Sequence, residues 1–182
     1  MTSQHTSPWI RCILSGNRIQ MTPEEEVRQE VLYQLINAYY FNKQDIRTEF
    51  HIRLGSSTRR VDIAVFHPNT MHIQQNICII IECKSKQYIH MEDAANQVFS
   101  YLSACLNAHY GVVAGRKNSY WKRVQLENGL HDLQEIADIP GNPMPPDFIS
   151  TKLPKEPIRV IKKRVGGTES APSRSSLRKA KS

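Results

Sequence analysis

Apolar positions along this chain change their period several times, and each change marks an element. Val27, Val31, Leu32, Leu35 and Ile36 recur at helical spacing and predict a helix near 23–40. Thr22, Pro23 and three consecutive glutamates supply its start: a capping hydroxyl, a proline in the first turn, and acids facing the positive end of the helix dipole. A strand is predicted near 48–54, a turn at Gly55-Ser56-Ser57, and a second strand near 59–67 in RRVDIAVF. After a loop at Pro68-Asn69, NICIIIECK gives a strand at 77–85. Its unbroken CIII run is the pattern of a central strand buried on both faces. A helix near 91–107 and a strand at Tyr110–Ala114 follow. Strand, helix, strand in that order predicts a right-handed crossover and a parallel pair. NSYWKRVQL (118–126) reads as an edge strand, and Trp9–Leu14 as a short strand with a weak pattern. Between 137 and 157 six prolines argue for extended linker rather than helix.

The candidate chemistry lies at the ends of two of these strands. Asp62 closes the polar half of RRVDIAVF, and Glu82-Cys83-Lys84 closes the IIIECK strand. Side chains alternate along a strand, so Glu82 and Lys84 share a face while Cys83 takes the other. If the strands pair as a hairpin, Asp62 and Glu82 form a two-carboxylate pocket with a lysine at its rim. Such an oxygen-rich setting suits Mg²⁺, which keeps waters and substrate phosphates in its remaining positions. The same three residues also read as ordinary charged strand ends. Weighing against that is the cost of leaving charges unpaired at the mouth of a buried strand.

PEEEVRQEVLYQL (23–35), RRVDIAVF (59–66), IIIECK (79–84), DAANQVFSY (93–101) and AHYGVVAG (108–115) occur in this order and spacing. Together they resemble the N-terminal nuclease domain of type I restriction enzyme R subunits and its stand-alone relatives, within the PD-(D/E)XK superfamily of metal-dependent nucleases. The resemblance covers about residues 20–116 and implies a restriction-endonuclease-like α/β fold, a mixed central sheet flanked by helices. It implies a metal site of Asp62, Glu82 and the Cys83 carbonyl, with Lys84 beside it. It puts a helix-borne acid at Glu24, with Glu25 the competing choice, and a glutamine–tyrosine pair at Gln97 and Tyr101. Val61 stands where the superfamily name has proline. Read without the resemblance, Glu24 to Glu26 complement a helix dipole, and Gln97 and Tyr101 are an amide and an aromatic one helical turn apart. Arg59 and Arg60 read equally as phosphate contacts or as a solvated strand start.

Charge is divided unevenly over the 182 residues. The net +7 comes from residues 152–182, where ten Lys or Arg face only Glu156 and Glu169, giving +8; the remainder, with fourteen bases and fifteen acids, carries −1. The closing GGTESAPSRSSLRKAKS is nearly devoid of apolar residues and is expected to be disordered, a tail suited to nucleic acid or simply to solubility. IRVIKKRV (158–165) reads as a short strand or an extended arm. Cys12, Cys78, Cys83 and Cys105 form no C-x-x-C pair and read as reduced thiols, and the scattered histidines give no zinc pattern. No stretch is apolar for long enough to span a bilayer, no secretory pattern opens the chain, and no P-loop is present, so the default location is cytoplasmic.

The organisation expected is therefore an N-terminal extension (1–20), a nuclease-like domain (21–136), a proline-rich segment (137–163) and a basic tail (164–182). The expected activity is Mg²⁺-dependent hydrolysis of DNA, with Mn²⁺ able to substitute. Expected partners are DNA and either a second copy of the chain or a restriction–translocase complex, without a membrane. The alternative from another class is a nuclease-fold subunit that binds DNA or assembles without cleaving.

Overall fold

In a computed structural model of the chain, residues 8–142 are described; the basic tail and the 158–165 arm lie outside them. The order is β1 (Trp9–Arg11), β2 (Arg18–Gln20), α1 (Pro23–Asn37), β3 (Ile46–Leu54), β4 (Ser57–Phe66), β5 (Ile77–Cys83), α2 (Met91–Ala104), β6 (Tyr110–Ala114), β7 (Ser119–Gln125) and β8 (His131–Ile136). Strands β3 to β8 form one mixed sheet in sequential order, antiparallel except for the β5–β6 pair joined through α2. The β-α-β unit and the α/β class are as the sequence predicts. β1 and β2 make a separate small hairpin, of which the sequence pattern foresaw only the first strand.

One correction concerns the sheet margin. β7 is not an edge, because β8 pairs along its far side from Tyr120↔Ile136 to Gln125↔His131. HDLQEI was passed over because only Leu133 and Ile136 in it are partly covered and the rest is exposed and polar. A strand lying at the rim of a sheet needs no continuous apolar pattern.

Two apolar layers cover the sheet. On one side Val27, Val31, Leu32 and Leu35 of α1 pack on Ile63, Val65, Ile79, Ile81 and Val112. On the other, Val98, Tyr101 and Leu102 of α2 pack on Ala64, Phe66, Ile80 and Val113. β5 is covered on both faces, with Ile79, Ile80 and Ile81 at most 2% exposed. Burial of each such side chain contributes roughly 1.5–3 kcal/mol. Gly111 lets α2 approach β6 closely: a Cβ there would lie 2.6 Å from Val98 Cγ1 and 2.8 Å from Leu102 Cδ1.

β4 changes sides partway along. Val61 belongs to the α2 layer, whereas Ile63 and Val65 belong to the α1 layer. Residues two apart on a regular strand share a face, so the β3–β4 ribbon turns over around Asp62. Glu49 of β3, which falls between the pairs Thr48↔Ile63 and Phe50↔Val61, has φ 54°. Beyond the sheet, residues 138–142 return to the end of α1. Tyr39 donates to Asp138 at 2.6 Å, the Asn142 N–H donates to the Tyr39 carbonyl at 2.7 Å, and Ile139 is buried in the α1 layer.

Candidate active site

Four elements bring the site together. β4–β5 pairing ends at Ile63↔Ile81, one step short of Asp62 and Glu82, so the two strands part where the acids begin. The Cys83 N–H, freed from the ladder on that side, donates to Asp62 Oδ2 at 2.7 Å. Asp62 Oδ1 accepts from Arg28 Nη2 of α1 at 2.8 Å. Glu82 and Lys84 lie on the α2 side of β5, as strand alternation predicts, and Cys83 packs in the α1 layer. The Asp62 charge is felt at Glu82, and the two acids follow directly on the last paired rung of the parting strands.

Glu82 is buried, at 4% exposure. Its Oε1 accepts from Lys84 Nζ at 2.8 Å, while its Oε2 has no protein partner. Burial, reinforced by the Asp62 charge, pushes the Glu82 carboxyl up to about 7, against the opposing pull of Lys84. Burial alone would lower the Lys84 ammonium, but its bond to Glu82 and the nearby acids outweigh that and raise it. Lys84 is thus held as a cation at neutral pH. Its Nζ is also 3.4 Å from Gln97 Oε1 and 5.6 Å from the centre of the Tyr88 ring.

Gln97 and Tyr101 are one turn apart on α2, and both face the site. Gln97 Nε2 donates to the Tyr101 hydroxyl at 2.6 Å, and that hydroxyl donates to the Arg60 carbonyl of β4 at 3.4 Å. The order Glu82, Lys84, Gln97, Tyr101, Arg60 is therefore a single hydrogen-bonded chain from the middle of the sheet to the β3–β4 ribbon.

The α1 acids separate by role. The Thr22 hydroxyl accepts from the Glu25 N–H at 3.1 Å and fixes the first turn. Glu25 is engaged, accepting from Arg28 Nη1 at 2.5 Å and Gln29 Nε2 at 2.7 Å. Glu24 is exposed, and its charge reaches both Glu82 and Lys84. Lys86, in the loop after β5, pairs with Glu30 at 2.5 Å and Glu26 at 3.5 Å and ties that loop to α1.

Arg28 is the residue that sequence reasoning missed. It bonds Asp62 and Glu25 and lies 3.8 Å from Glu49, which pairs in turn with Arg60 at 3.3 Å. Its signal was present in the V-R pair that follows the glutamates, but a helix arginine three residues from an acid reads first as a surface pair.

The donor set fits a hard divalent cation in part. One buried carboxylate oxygen, Glu82 Oε2, is unpartnered, the Asp62 charge is felt at that carboxyl, and the Cys83 N–H is bonded to Asp62. Among the described residues no three His, Cys, Asp or Glu side chains converge as a ready cage. This suits an ion that keeps several waters better than one enclosed by protein ligands. All four cysteines are free, and burial pushes the Cys78 and Cys105 thiols up to about 11. Among the described residues no helix is long and apolar enough to cross a membrane.

A family model described as the N terminus of the type I restriction enzyme R protein matches residues 23–140, from the start of α1 through β8 to the buried Ile139. No curated protein and no solved structure matches the chain.

Proposed function

The chain belongs to the family of type I restriction enzyme R protein N-terminal domains, a restriction-enzyme-like nuclease domain, and from that premise we propose that it hydrolyses phosphodiester bonds in DNA with a divalent metal ion. Asp62, Glu82 and the Cys83 carbonyl would hold the ion, Mg²⁺ or in its place Mn²⁺, with Glu24 assisting directly or through water. Bound there, such an ion polarises a phosphate and lowers the pKa of a coordinated water. The observation that carries this reading is the unpartnered Oε2 of buried Glu82 beside the second carboxylate. A buried carboxylate oxygen without a partner is costly, and a cation is the partner its chemistry calls for.

The chain's own groups divide the remaining work. Lys84, kept charged, offers a fixed positive charge where negative charge develops on the scissile phosphate. It is therefore better suited to orienting the attacking water than to deprotonating it. Gln97 holds Lys84 in place, and Tyr101 braces Gln97 against β4. Docking within a restriction complex, or pairing with a second copy to cut both strands, are the assemblies the family context suggests.

The test is cleavage of linear, supercoiled, branched and single-stranded DNA in Mg²⁺, Mn²⁺ or EDTA. Asp62→Asn and Lys84→Ala should each lose at least about a hundredfold in rate, the scale of removing one preorganised group, with unchanged circular dichroism. A cleanly purified Lys84→Ala protein that still cuts would remove this mechanism. Absence of cleavage together with no Mn²⁺-dependent rise in melting temperature would favour a binding or assembly subunit.

A further inference from the structure

Arg28 stands where the site expects an ion. Its side chain is 12% exposed, and the guanidinium bridges two carboxylates of different elements, Glu25 of α1 and Asp62 of β4. A planar fork joining two carboxylates is strong and directional. The fit is nevertheless incomplete on both sides. Arg28 Nε is buried without a protein partner, and so is Glu82 Oε2 across the same site. One acid is neutralised by the arginine, and the other leans on Lys84.

We propose that Arg28 is a resident counter-cation of the acidic site, and that a divalent ion binds only by loosening its hold on Asp62. This rests on the metal-dependent reading above. In the ion-free protein the guanidinium balances Asp62 and Glu25, and the Asp62 charge it offsets is one that acts on Glu82. The same positive charge opposes the entry of a second cation, and Asp62 Oδ1 is already engaged. Glu25 and Glu49 then provide the place to which Arg28 withdraws, since its Nη1 already faces both. The arginine is thereby a positioning residue that sets the ion concentration at which the site fills. It keeps the empty site closed to weakly held ions and its carboxylates aligned.

The experiment is calorimetric titration of the full chain with Mn²⁺, run beside thermal melts in EDTA and in Mn²⁺. Three forms are compared with the wild type: Arg28→Met, Arg28→Lys, and Lys122→Met as a control that removes an exposed positive charge on β7. Removing one positive charge next to a divalent ion should tighten Mn²⁺ binding by roughly tenfold. Arg28→Met should melt lower than wild type in EDTA and gain more than wild type from Mn²⁺. Arg28→Lys, which keeps the charge but loses the fork, should bind Mn²⁺ with intermediate strength and serves if the methionine variant folds poorly. Lys122→Met should leave Mn²⁺ affinity within about twofold of wild type. Wild-type binding with no gain in either Arg28 variant overturns this inference alone. No Mn²⁺ binding by any of the four proteins overturns the metal-site reading, and this inference falls with it.

Discussion

Glu82 is the residue whose environment makes the most definite statement. Its carboxyl is raised from 4.5 to about 7 in the folded protein, so folding favours its protonated form. The stability this contributes is present in full below pH 4.5 and is lost as pH rises through about 7. The raise corresponds to at most roughly 3 kcal/mol, shared with the coupled Lys84. Denaturant melts in EDTA should therefore show wild type weakening between pH 5 and 8, and Glu82→Gln should flatten that slope. Ion binding needs the ionised form, so the Mn²⁺-induced rise in melting temperature should grow from pH 6 to 8. The shared face of Glu82 and Lys84 was legible in the sequence because it follows from strand alternation, whereas the place of Asp62 was not, because β4 turns over there. Gln97 and Tyr101 needed only the i to i+4 rule to be placed on one face. The choice between Glu24 and Glu25 was not legible, because it depends on which acid Arg28 and Gln29 engage.

At the level of elements, α2 is held by a group from another strand. Arg123 of β7 donates through Nε to the Ala108 carbonyl at 3.0 Å, and through Nη2 to the Cys105 carbonyl at 3.2 Å and to that of Leu102. One guanidinium thus satisfies carbonyls that the helix end leaves open. Arg123→Ala should destabilise the fold by about 1–3 kcal/mol, read as a lower urea midpoint with little change in slope. The loss should exceed that of Arg123→Lys, since an ammonium cannot reach all three carbonyls. The elements themselves were largely readable: β5 from its apolar run, and α1 from its cap and periodicity. β8 and the β1–β2 hairpin were not. Both are short and mostly exposed, and they exist through pairing rather than through burial of their own side chains. The three-residue withdrawal of each helix from its predicted end has the same cause, because cap geometry at Ala38 and Cys105 decides where a helix stops and periodicity does not.

For the molecule as a whole, the separation of charge matters more than its total. The site is acidic, and the sequence before residue 152 carries −1, while residues 152–182 carry +8. If the substrate is DNA, as proposed above, the basic residues of 152–182 would attract it without sequence preference. Replacing Lys162, Lys163 and Arg164 with glutamine should reduce the slope of log affinity against log salt. The reduction should be up to about 0.9 for each duplex phosphate contact removed, measured by fluorescence anisotropy in EDTA so that cleavage does not interfere. The turned-over ribbon at Asp62 carries a different consequence, one for how this chain can vary in length. Val61 and Ile63 serve opposite layers, so a residue gained or lost between them would send one layer's side chains into the other and pull the aspartate from its place. A Cβ added at Gly55, in the β3–β4 turn, or at Gly129, between β7 and β8, would meet no atom within 4 Å. Residues inserted in those two turns should be tolerated, while the stretch around Asp62 must keep its count.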